Sequence, residues 1–151
     1  MIQSKLEKTI TELFKTLENE ISEFQNSPED WSISEGNVAI CIITESGNIY
    51  GKLFGSDKIK QRKSYAIAWQ KASQVWITRH NTGDYEKIVF GGIMDPEEAP
   101  IELPDLIGWV GGQQLQIEDQ QLSVGFSGFR GFKDIEIVQT ALSKVMNKKQ
   151  D

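Results

Sequence analysis

Apolar residues recur every three or four positions through the first part of the chain, at Ile2, Leu6, Ile10, Leu13, Leu17, Ile21 and Phe24, while Glu and Lys fill the other face. This is the period of an amphipathic helix. Pro28 disfavours helical geometry at the residue before it and predicts an end near Asn26. The pattern then changes. Residues 38–43 form a continuous apolar run, Glu45-Ser46-Gly47-Asn48 supplies turn chemistry, and residues 49–54 follow, which predicts a β-hairpin. A second helix is expected over about 58–79, where Tyr65, Ala68, Ala72, Val75 and Trp76 share one face. Its alanines permit close approach to a sheet, and residues 81–84 end it.

Residues 86–94 read as a further strand, interrupted by Gly91-Gly92. Between Asp95 and Asp105 stand three of the four prolines (Pro96, Pro100, Pro104) and five acidic residues, the composition of an ordered surface loop or lid. Residues 115–118 and 122–126 flank Asp119-Gln120 as a second hairpin, in which Leu122, Val124 and Phe126 alternate with Ser123 and Gly125. Asp134 is placed to N-cap a final helix with a buried stripe of Ile135, Val138, Leu142 and Val145. Helix, hairpin, helix, one to three strands and helix make an α+β domain with a mainly antiparallel sheet. At 151 residues and 38% hydrophobic content the chain suffices for one domain over 1–151.

A net charge of -6 argues against nucleic acid, whose binding needs clustered Lys and Arg; the terminal Lys148 and Lys149 do not reverse it. The first residues lack the apolar core of a signal peptide, and no stretch approaches the roughly 18 apolar residues of a membrane span. The sequence therefore predicts a soluble, cytoplasmic protein. Cys41, the only cysteine, can form no internal bridge. His80, the only histidine, rules out triads and multi-histidine metal sites, and no Walker loop, G-x-S-x-G or H-E-x-x-H is present. Glu97, Glu98, Glu102 and Asp105 fit a solvated loop better than an acid–base pair. Trp31, Trp69, Trp76 and Trp109 suit an apolar pocket, a core or an oligomer interface. Gly125, Gly128 and Gly131 form G-x-x-G-x-x-G around Arg130, just before the last helix. This is either a tight turn or an anion site, since glycines allow close approach and a helix N-terminus attracts a carboxylate.

Two stretches carry a resemblance: Ser64-x-x-Ile67-Ala68-x-x-Lys71-Ala72, and Val124-Gly125-Phe126-Ser127-Gly128, with Asp134 entering the last helix. Together with the first hairpin they resemble the GlcG/HbpS-type haem-binding family, which includes the C-terminal domain of PduO-type proteins, over about 38–142. The resemblance implies a profilin-like arrangement of about five antiparallel strands with helices on its faces, homo-oligomeric assembly, and haem or a related ligand. A haem propionate would suit the loop of Gly125, Gly128, Arg130 and Gly131. The family's iron ligands vary, so His80 is named for its chemistry alone, and its place after the second helix favours a cation bonding that helix's last carbonyls; Cys41, Met94, Tyr50 and Tyr65 are further candidates. After Gly111-Gly112 the family places a proline where this chain has Gln113-Gln114, and the acidic loop is longer, which remodels the pocket.

Three functions compete. The first is a non-enzymatic binder of haem or a related carboxylated apolar molecule. The second is an interaction or structural module that has lost the ligand and uses the 95–105 loop. The third is an accessory enzyme of glycolate, corrinoid or haem metabolism, which the absence of a nucleophile arrangement ranks last.

Overall fold

The computed structural model describes residues 4–24, 35–92, 99–101, 105–129 and 132–150. Its elements are α1 (Lys5–Phe24), β1 (Ala39–Thr44), β2 (Ile49–Leu53), α2 (Lys58–Thr78), α3 (Thr82–Phe90), β3 (Gly112–Ile117), β4 (Gln120–Ser127) and α4 (Lys133–Gln150). The strands form one antiparallel sheet in the order β2-β1-β4-β3, so the α+β class holds. Among the described residues it has four strands, where about five were expected.

β1 is apolar without alternation because both its faces are covered. On one face Val38, Ile40 and Ile42 join Leu122, Val124 and Phe126 beneath the α1 stripe and Ile137, Val138, Ala141 and Val145 of α4. On the other, Ala39, Cys41 and Ile43 meet Ala68 and Ala72 of α2. Beneath α2 this second face is mostly of small residues: Cys41 lies opposite Gly125, and Ala39 opposite Ser127, with Ile43 at the end of the strand. α2 consequently sits very close to the sheet, and a Cβ at Gly125 would stand 2.0 Å from the Ala68 carbonyl oxygen.

Local chemistry sets the ends of α2. The Asn37 side-chain oxygen accepts from the N–H groups of Ser56 and Asp57 at 3.0 and 2.9 Å, and Asp57 in turn caps Ile59 and Lys60. Arg79 closes the helix in the left-handed region, at φ 61°. In the first hairpin Thr44 Oγ1 accepts from Asn48 N at 3.0 Å, across a turn in which Gly47 has φ 92°.

Two expectations need correction. Residues 86–90 are not a strand but the second half of α3: Thr82, Tyr85 and Val89 are buried at helical spacing, and Gly91-Gly92 terminates the helix, with Gly92 at φ 77°. Nor does Asp134 stand outside α4 as its cap. The helix begins at Lys133, and the Asp134 carboxylate turns back to the preceding loop. In the α4 stripe Val138 and Val145 are buried as expected, Ile137 and Ala141 complete it, and Ile135 and Leu142 are half-buried. Ile2, Asn26, Pro28, Trp31 and Met94 lie outside the described residues, as do Pro96, Glu97, Glu98, Glu102 and Pro104 of the acidic loop. Within that loop, Ile101 is tied down by the buried Tyr85, whose hydroxyl donates to its carbonyl at 2.8 Å.

Candidate functional site

Where the first half of α2 passes the end of β4 and the start of α4, a cleft of about 570 Å³ opens, within the usual range for small-molecule sites. Ile67, Trp109, Val110 and Phe129 give it apolar walls, Lys60, Lys63 and Ser64 project from one turn of α2, and Lys71 with Asp134 lies at its base.

The base is a buried ion pair. Lys71 Nζ donates to Asp134 Oδ2 at 3.2 Å and to the Phe126 carbonyl at 3.0 Å, with 2% and 4% of the two side chains exposed. Burial lowers the Lys71 pKa, and the Asp134 charge opposes that shift. Asp134 Oδ1 accepts from Phe129 N at 2.9 Å, so one carboxylate holds α2, the β4–α4 connection and α4 together. Gly111, at φ +131°, makes room for the ammonium: a Cβ there would lie 2.5 Å from Lys71 Nζ.

At the rim, Lys60 pairs with Glu35 at 2.6 Å, whereas Lys63 has no ion-pair partner among the described residues. Ser64 Oγ donates to the Asn37 carbonyl at 2.8 Å, fixing this turn of α2 to the strand entry. Trp109 is 64% exposed.

The sequence-selected residues scatter around this cleft. Gly128 lines it, at φ +137°, with Val38 where a Cβ would go. Gly125 is instead buried under α2, and Arg130 and Gly131 lie outside the described residues. His80 does not line the cleft. It follows the far end of α2, about 20 Å of helix from Ser64, half-buried with its ring stacked on Tyr85 at 6.4 Å. Cys41 lies under Tyr65, whose hydroxyl is 3.7 Å from its sulfur; burial raises the thiol pKa and pushes Tyr65 up to about 12. Tyr50 donates to Glu7 at 3.3 Å. No group of three His, Cys, Asp or Glu among the described residues could hold a metal ion.

Gln113-Gln114 has a structural purpose. Gln113 accepts from Gln139 Nε2 at 3.0 Å, and Gln114 N donates to Asn81 Oδ1 at 3.1 Å, a bond a proline at that position would lack.

No family model matches the chain, and no curated protein does. Solved structures match along nearly its whole length. A haem complex of PduOC superposes with a TM-score of 0.63 at 16% identity, covering 95% of this chain and 94% of the other. Klebsiella pneumoniae protein ORFY, described under the family model DUF336, gives 0.67 at 17%, with 92% and 88% covered. HbpS gives 0.56 at 13%, with 96% and 93% covered. The chain has the GlcG/HbpS-type fold. In this fold the two stretches that carried the resemblance meet at the cleft: Ser64, Ile67 and Lys71 line it from α2, and Ser127, Gly128 and Asp134 line it from the opposite side.

The cleft suits part of a haem. Lys63 at its rim matches a carboxylate, and Trp109, Ile67 and Val110 match a flat apolar body. Its described lining holds no histidine, methionine, cysteine or tyrosine, and the Lys71 amine is already engaged twice. The described lining therefore offers no ready ligand for a haem iron.

Proposed function

We propose that this domain is a non-enzymatic binding protein for haem or a related carboxylated apolar small molecule, working as an assembly of identical subunits. The observation that carries this reading is the cleft itself, which sets Lys63, without an ion-pair partner among the described residues, at the rim of apolar walls in a chain of net charge -6. Neighbours of the same fold include a haem complex and HbpS, which supports the ligand class. Gly128, with Arg130 and Gly131 following it, is the proposed carboxylate end of the site. His80, the only imidazole, is the proposed iron ligand for a haem that contacts the protein beyond the cleft. The reading includes a profilin-like sheet. It also includes a reducing, cytoplasmic setting, in keeping with a single buried cysteine; no described helix is long and apolar enough to cross a membrane.

Haemin titration tests it. A saturable Soret shift at micromolar haemin is expected, with binding about tenfold weaker in Lys63→Glu because a charge-assisted contact to a carboxylate becomes a repulsion. No saturable shift in the wild-type protein removes the cofactor assignment. A changed spectrum in His80→Ala supports ligation by His80, and an unchanged one returns that residue to the end of α2.

A further inference from the structure

Among the described residues β2 is an edge strand, with no strand paired on its second side. Phe54 N donates to the Val38 carbonyl and Thr44 N to the Asn48 carbonyl, both at 2.9 Å, so the even-numbered positions of this hairpin strand turn their backbone groups toward β1. The N–H and C=O groups of Ile49, Gly51 and Leu53 consequently point outward. Nothing described covers them, and the side chains of Ile49 and Leu53 are 53% and 45% exposed. Beside the strand runs a groove of about 440 Å³ beneath Tyr65, and helical spacing sets the exposed Trp69 and Trp76 in line with that tyrosine. An apolar, unpaired edge next to exposed aromatics is a place where another strand adds.

We infer that this edge pairs two copies of the chain, strand to strand, about a twofold axis at Gly51. The inference rests on the assembly part of the proposed function and names its surface. Its support is that the strand is complementary to itself. Antiparallel pairing centred on Gly51 sets the Gly51 N–H and C=O against those of the second Gly51, and sets Ile49 opposite Leu53 twice, closing about six backbone hydrogen bonds. Tyr65 packs so close over Gly51 that a Cβ there would lie 2.8 Å from its ring. That position therefore adds no side chain of its own at the centre of the seam.

Charge supplies the second argument. An edge lysine ordinarily repels an incoming strand. In this register Lys52, which has no ion-pair partner among the described residues, falls opposite Tyr50 of the second copy, the residue whose hydroxyl holds the Glu7 carboxylate at 3.3 Å. Each Lys52 thus meets the Tyr50–Glu7 pair of the other copy, and the meeting occurs twice. The cleft at the base of Lys71 uses none of these residues, so pairing leaves it open.

Native mass spectrometry and sedimentation of the full chain at micromolar concentration test the inference. Wild type is expected as an even-numbered assembly. Ile49→Lys/Leu53→Lys, which changes only exposed side chains, should halve its mass with an unaltered circular dichroism spectrum and an unaltered haemin titration. Lys52→Glu should weaken association about tenfold through its two symmetric contacts, and Lys52→Glu/Glu7→Lys should restore it. An assembly that survives Ile49→Lys/Leu53→Lys intact overturns the β2 interface while leaving oligomerisation standing. A monomeric wild type overturns both, and leaves the edge to a strand from another protein.

Discussion

Lys71 and Asp134 are 63 positions apart, and no local pattern expresses their pairing. Each was visible separately, Lys71 inside a helix motif and Asp134 as a helix start, but that they form the floor of one cleft is a tertiary fact. The residues chosen for their chemistry fared unevenly: Gly128 lines the cleft, Gly125 serves packing, and His80 sits beyond it. Lys71→Met leaves the Asp134 carboxylate buried without its ammonium, so a loss of about 3–5 kcal/mol is expected in urea unfolding; Lys63→Met at the rim should cost almost nothing. Tyr65 adds a pH dependence. Its folded pKa is raised from 10.0 to about 12, chiefly by burial. The unfolded chain therefore releases this proton first, and the contribution is intact below pH 10 and lost as pH climbs toward 12. Urea midpoints followed over that window should fall less steeply for Tyr65→Phe than for wild type.

At the scale of elements, α1 and α2 were legible from periodicity, and both hairpins from short apolar runs on either side of turn residues. β1 could be read as a strand from an unbroken apolar run, and the structure explains that run by two covered faces. α3 was misread because Lys87-Ile88-Val89-Phe90 has strand-like composition in a helix of only nine residues, whose buried side follows from tertiary contacts of Thr82, Tyr85 and Val89. The contact of α2 with the sheet is the least forgiving junction. Gly125→Ala would place a methyl 2.0 Å from the Ala68 oxygen and 2.7 Å from the Ala72 nitrogen. Forcing the helix outward should cost about 1–3 kcal/mol or more and lower the thermal midpoint. The same shift should displace Lys71 and Ser64, so ligand binding should weaken with stability.

For the whole molecule, the class and the helix–sheet layering followed from element order, but the strand order did not. β1 and β4 are central neighbours although roughly half of the chain separates them, and hairpin signals specify only sequence-adjacent pairs. That long-range pairing brings the Ser64–Lys71 stretch over Ser127 and Gly128 and so creates the cleft. The two layers around the sheet are also unequal, with branched and aromatic residues toward α1 and α4, and mainly glycine, alanine, serine and cysteine, with Ile43, toward α2. Sequence drift therefore meets opposite limits on opposite sides of one strand: beneath α1 and α4 a substitution fails by being too small, and beneath α2 by being too large. Adjacent codons of β4 answer to contrary volume rules, and a conservative exchange on one side of the sheet is a drastic one on the other.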